Sequence, residues 1–124
     1  MNFIVHTLEL HRPITAPADG ISPDGTEELH VYRSMVQEND LEPAAEDHLR
    51  EGTGARIIDP GYYFFVQGIM PRDTAETETV WQQAAEALWL ESLWRETVFK
   101  DDRILVRILS EDGKRVFQLF RGIE

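Results

Sequence analysis

The stretch DRILVRILSEDGKRVFQLFRG, residues 102–122, constrains the fold of this chain more than any other. Asp112-Gly113 stands between two runs of alternating apolar residues, and Asp-Gly favours the two-residue turn whose positive φ angles match the twist of an antiparallel pair. A two-residue turn fixes every partner. Ser110 faces Arg115, Ile108 faces Phe117, Val106 faces Leu119 and Ile104 faces Arg121. On the opposite face Leu109 meets Val116, Arg107 meets Gln118 and Leu105 meets Phe120. The first face, with Ile104, Val106, Ile108, Phe117 and Leu119, suits a sealed core. The second sets Leu105, Leu109, Val116 and Phe120 around Arg107 and Gln118, more apolar than a surface in water and more polar than a dry interior.

An isolated hairpin is marginal in water, so the remaining chain must supply cover. Residues 2–11, NFIVHTLELH, alternate as a strand with Ile4, His6, Leu8 and Leu10 on one face. Residues 12–26 hold three Pro and two Gly and read as a flexible loop. The segment 27–37 admits helix or strand, and Val31, Tyr32 and Val36 tilt it towards strand. Pro43 to Arg50 reads as a short helix, with Pro at its first turn and Gly52 as its cap. Asp59-Pro60-Gly61 is a turn, and YYFFVQGI after it is apolar on both faces, the mark of a strand covered on both sides.

The long helix is expected from near Thr77, behind the acidic lead-in DTAETE, to near Phe99. It carries all three tryptophans within residues 81–94. Stepping 100° per residue, Val80, Ala84, Ala87, Leu90, Trp94 and Val98 form one stripe. That reading sends Trp94 to the core and Trp81 to a flank, and leaves Trp89 and Leu93 pointing away, in need of a cover from the 12–26 loop or from another chain. The fold class that follows is α+β: a single domain over residues 1–124 in which one long helix packs on a mostly antiparallel four- or five-stranded sheet closed by the C-terminal hairpin.

With 124 residues and 42% apolar composition, the chain can bury one core without a metal or a disulfide, and it has no cysteine to supply either. No run approaches the ~18 apolar residues of a membrane span, and the N-terminus lacks a basic, signal-like start, so a cytoplasmic protein with no membrane partner is expected. Asp and Glu number 23 against 12 Lys and Arg, a formal charge of -11, which argues against nucleic acid as a partner. Residues 19–51 concentrate that charge, with ten acids against Arg33 and Arg50.

Motifs that fix a chemistry are absent. His6 and His11 face opposite ways on a strand and cannot chelate together. Asp47, His48 and Glu51 share a helix surface but offer too few ligands for a metal. Glu28 and His30, or Glu9 and His11, would share a strand face as carboxylate and imidazole pairs suited to proton transfer. Gly52-Thr53-Gly54 follows a helix instead of preceding one, the wrong order for a phosphate loop. Arg103 and Arg107 lie on one hairpin face and Arg115 and Arg121 on the other, so the arginines make no single anion patch. No catalytic, metal or cofactor-binding residue is assigned, and no cofactor is expected.

The first expectation is therefore a non-enzymatic interaction module of the adaptor, chaperone or inhibitor type. It acts as a homodimer and holds an unidentified protein partner through Trp89, Leu93, Leu105, Arg107, Leu109, Val116 and Phe120. The alternative is a binding or catalytic pocket between helix and sheet, lined by Tyr62, Tyr63, Trp81 and Trp94 near His6 or His30. A third reading takes the acidic segment as a mimic of nucleic acid.

Overall fold

The computed structural model describes residues 3–16, 25–34, 41–43 and 56–124. In chain order the elements are β1 (His6–Leu10), β2 (Ile14–Ala16), β3 (Thr26–Ser34), β4 (Leu41–Pro43), β5 (Arg56–Ile58), β6 (Gly61–Ile69), α1 (Thr74–Trp94), β7 (Arg103–Glu111) and β8 (Lys114–Gly122). The main sheet runs β1-β6-β8-β7-β3-β4, and every pairing in it is antiparallel. Five strands of five to nine residues make its body, and the three-residue β4 adds a short sixth at one edge. The α+β class, the helix on an antiparallel sheet and the closing hairpin are as the sequence implies.

The hairpin register follows the turn chemistry. Asp112 (φ 51°) and Gly113 (φ 78°) both occupy the left-handed region, and β7 pairs β8 from Glu111↔Lys114 to Leu105↔Phe120 with Ile108 opposite Phe117. YYFFVQGI forms β6, between β1 and β8, and its side chains divide between two cores. Phe64 and Val66 join Val106, Phe117 and Leu119 beneath the helix, while Tyr63 joins Leu105 and Phe120 on the other side, with Phe65 packed against them. Phe65 stacks on Phe120 at 5.7 Å between ring centres, and Tyr63 meets the same ring edge-on at 6.0 Å.

Several expectations need correction. Residues 12–26 are not loop throughout, because Ile14–Ala16 pairs with Arg56–Ile58 as a separate two-stranded sheet. Each partner is only three residues long, too short for alternation to register in the sequence. Pro43 does not open a helix: it ends β4, opposite Tyr32. The rest of the expected 43–50 helix lies outside the described residues, as do His48, the Gly52-Thr53-Gly54 segment and most of the acidic stretch.

The helix also sits earlier than expected, at Thr74–Trp94 instead of Thr77 to Phe99. Asp73 sets the start, its carboxylate accepting from the Ala75 amide at 2.9 Å. Glu96 sets the end. It takes a left-handed φ of 53°, its amide donates to the Leu93 carbonyl, and the Thr97 amide donates to the Ser92 carbonyl at 2.9 Å, a Schellman closure built without glycine.

The buried face of α1 is Trp81, Ala84, Ala85, Leu88 and Ser92, not the stripe through Leu90 and Trp94. Ala84 and Ala85 let the helix backbone approach the large rings of Phe64 and Phe117, and Ser92 satisfies its hydroxyl locally by donating to the Trp89 carbonyl at 2.6 Å. Trp81 fills the space towards β3 and β8, edge-on to Tyr32 at 5.8 Å and to Phe117 at 6.4 Å. Small residues against the sheet, and not the most apolar arc of the wheel, decide which way the helix faces.

Candidate interaction surface

The two surfaces marked by the sequence as surplus have different fates. On the hairpin, Leu105 and Phe120 are 3% and 2% exposed, packed with Ile14, Leu29, Val31, Ile58 and Tyr63, and Val116 is buried at 6%. The cover is the chain's own: Ile14 of β2 and Ile58 of β5 lie over the face that seemed to need a partner. Leu109 and Arg107 are half-buried. Arg107 is accommodated by a polar seam that crosses the sheet. Its Nε donates to Thr26 Oγ1 at 2.7 Å and its Nη1 to Gln118 Oε1 at 3.1 Å, while Gln118 Nε2 donates to Gln67 Oε1 at 2.8 Å. Leu105, Val116 and Phe120 are therefore core residues of the folded chain and unavailable to a partner.

The outer face of the helix has no such cover among the described residues. Trp94 is 86% exposed, Leu93 57%, Leu90 50% and Trp89 37%. Trp89 and Leu93 point outward as expected, whereas Trp94, expected in the core, is the most exposed of the three tryptophans. Ile4 and Val98 are also exposed. Beside this ridge runs an open groove of about 880 Å³, with Phe3 and Val5 of the N-terminal segment on one side and Ala87, Leu90 and Trp94 of the helix on the other. Such a patch is at or above the roughly 300–600 Å² largest apolar patch of an ordinary monomer, since Trp94 alone offers ~200 Å².

Of the two glutamates that line the groove, Glu91 is held in an ion pair. Arg95 is bonded to Glu91 on the last helical turn, donates from Nη1 to Thr7 Oγ1 at 3.1 Å and lies over the Phe64 ring at 5.7 Å. Thus the edge strand β1 is tied to the helix end. Arg121 has a different environment: it is buried, its guanidinium 3.8 Å above the Phe99 ring, and burial lowers its pKa despite the opposing pull of Asp101 and Asp102. Arg121 Nη2 donates to the Asp101 carbonyl at 3.4 Å, while its Nε has no acceptor among the described residues.

The residues of the alternative pocket do not converge. Tyr62 is exposed on β6, Tyr63 belongs to the core away from the helix, and Trp94 is outside. His6 packs on Phe65 at 5.4 Å, on the sheet face opposite α1. His30 does lie on the helix side, 6.0 Å from Trp81, where Glu28 Oε1 is 3.1 Å from its Nε2 and Arg115 Nη2 donates to Glu28 Oε2 at 2.7 Å. Arg115, Glu28 and His30 thus form a hydrogen-bonded chain at the sheet surface, in place of the two-residue pair read from sequence. The second pair, Glu9 and His11, is a solvent-exposed contact at 3.5 Å. Arg115 also lies 3.4 Å from Glu27, so the hairpin neutralises part of the acidic stretch.

Among the described residues no three His, Asp or Glu side chains gather as metal ligands, and no described helix is long and apolar enough to cross a membrane. Compared with protein-family models, curated proteins and solved structures, the chain matches none.

Proposed function

We propose that this chain is a small acidic protein–protein interaction module that works as a homodimer, with the outer face of α1 as its contact surface. The observation that carries the reading is Trp94, an indole 86% exposed within a ridge that includes Leu90 and Leu93. Keeping so much apolar area in water is costly at ~25 cal/mol per Å², and tryptophan is a favoured anchor in interfaces because it gives large contact area with few rotors. The earlier expectation of a contact through Trp89 and Leu93 is kept, but its centre moves to Trp94 and the hairpin residues leave it. An adaptor, chaperone or inhibitor role fits a module of this kind, which holds its partner without chemistry.

Sedimentation velocity across a range of protein concentrations tests the reading. The unaltered chain dimerises, and Trp94→Ser, which removes the anchor from a surface position, weakens the dimer by about 30-fold or more, roughly 2 kcal/mol. A chain that stays monomeric at high concentration refutes the reading.

A second reading, binding or proton transfer at His30, is supported by the Arg115–Glu28–His30 chain, which fixes the imidazole from one side. Its test is a small-molecule fragment screen followed by NMR: shifts confined to His30, Tyr32 and Trp81 support it, and none refutes it.

A further inference from the structure

We infer that the second copy joins by extending the main sheet, its β1 running antiparallel to β1 of the first, so that the two helices face each other across the new edge pair. The inference rests on the self-association proposed above and specifies how it occurs. Among the described residues, β1 pairs with β6 on one side and ends the sheet on the other. The residues before it continue the same course, since Phe3 lies against Gly68 and edge-on to Phe117 at 6.1 Å. Phe3, Val5 and Thr7 therefore point towards the helix, and the groove opens between them and the flank of α1. A strand added beside β1 would complete the open row of backbone donors and acceptors and send alternate side chains into that groove, beneath Leu90 and Trp94.

The edge itself invites pairing. HTLEL contains no lysine, proline or glycine, the residues with which exposed edges are commonly protected. The apolar area available at Ile4, Leu90, Leu93, Trp94 and the groove is on the order of 500 Å² per copy. With the polar rim and backbone of β1, this approaches the ~800 Å² per partner of a stable interface.

Symmetry narrows the register. A two-fold axis through the sheet keeps both helices on one face, so residues facing each other across the edge share a face and their numbers sum to an even value. The usable stretch, Ile4 to Leu10, has Thr7 at its middle. Centred there, Thr7 meets Thr7, Val5 meets Glu9, His6 meets Leu8 and Ile4 meets Leu10. The two-fold axis then sets the two helices antiparallel on the same face of the joined sheet.

The absence of cysteine makes the test direct. Single-cysteine variants at His6, Thr7, Leu8 and, as a distant control, Ser110 are oxidised mildly and followed by non-reducing electrophoresis. Directly opposed residues of an antiparallel pair lie ~4.5–5.5 Å apart at Cα, within disulfide reach. Thr7→Cys should cross-link at least 10-fold faster than Ser110→Cys. On the unaltered chain, hydrogen exchange of the β1 amides facing the open edge should slow at least 10-fold between dilute and concentrated protein. The dimer should also tighten with added salt, as screening weakens the repulsion between like-charged copies, whereas a basic partner would be released.

If the chain dimerises but the edge cysteines react no faster than the control and the β1 amides stay unprotected, sheet extension is wrong and the dimer stands. If the chain is monomeric throughout, both fail. Protection of β1 that needs an added basic peptide also overturns the inference.

Discussion

Leu88→Ala and Leu90→Ala make the same chemical change two residues apart on one helix, and the structure assigns them very different consequences. Leu88 is fully buried at 0% exposure, in the core with Ala84, Phe64 and Phe117. Truncating it removes three carbons from a site whose walls are a helix backbone and large rings, so little collapse is available and the cost is about 3–4 kcal/mol. Leu90 is 50% exposed. Its truncation forfeits roughly half a transfer energy of ~2 kcal/mol, and the better helix propensity of alanine offsets part of that, leaving less than ~1 kcal/mol.

Urea unfolding followed by tryptophan fluorescence measures both, at protein concentrations low enough that association through Leu90 does not contribute. With m near 1.5–2 kcal/mol/M, Leu88→Ala lowers the midpoint by roughly 2 M and Leu90→Ala by less than ~0.5 M, with m unchanged in each. Thermal midpoints follow at roughly 3–6 °C per kcal/mol for a chain of this size. Equal losses, or a larger loss at Leu90, would return the helix to the orientation of its most apolar arc and refute the argument that small residues choose the buried face.

Three other substitutions probe the backbone and the second core. A Cβ at Gly68 would lie 2.6 and 2.8 Å from ring carbons of the fully buried Phe117, so Gly68→Ala costs about 1–3 kcal/mol in urea unfolding, and a neutral result would mean the Phe117 ring is free to move. Glu96→Gly relieves a left-handed residue at the helix end and should raise stability by about 0.5–1 kcal/mol, where any loss would show that the Glu96 side chain contributes more than its backbone strain removes. Tyr63 donates to the Asp59 carbonyl at 2.6 Å, and its pKa is pushed up to about 12, first by burial and then by Asp59 and Asp101. The folded chain thus holds this proton more tightly than the unfolded chain, whose phenol titrates near 10. The stability that Tyr63 contributes is fully present below pH ~10 and is lost as pH rises towards 12. Tyr63→Phe should remove that alkaline limb from a stability–pH curve, and an unchanged slope would contradict the assignment.

What the sequence makes legible is what local chemistry decides. Asp112-Gly113 determines its own turn and hence the hairpin register, and the apolar run at 62–66 marks a strand because it is short, aromatic-rich and preceded by the turn Asp59-Pro60-Gly61. The second sheet is invisible for the opposite reason. Ile14 and Ile58 meet across more than forty residues of chain, and three-residue strands carry no period of their own. Helix orientation fails for a third reason: around residues 87–94 apolar side chains lie on every side, so hydropathy cannot select a face. The discriminating signal is size, with Ala84, Ala85 and Ser92 in line with Trp81 and Leu88 along one strip. The Glu28–His30 pair is legible once the segment 27–37 is read as a strand, but Arg115, the third member, is not, because it arrives from the hairpin across β3 and β7.

The misplaced tryptophan explains why apolar surface accumulates where it does. A sheet buried on both faces needs a layer on each side, and this chain supplies unequal layers: a two-stranded patch of six residues over one face and a 21-residue helix over the other. The patch succeeds because the face beneath it is partly polar, its Arg107 satisfied within the sheet by Thr26 and Gln118. The helix spends its small residues on close approach to the sheet. Its large ones, Trp89, Leu90, Leu93 and Trp94, must then point outward, since no third layer exists among the described residues to receive them. A core-forming role for Trp94 would have required the helix to stand further from the sheet and to open a void over Phe64 and Phe117, a worse packing for both. The exposed ridge is therefore not an accident of one residue but a consequence of how the first two layers fit, and it lies beside β1, which ends the main sheet among the described residues.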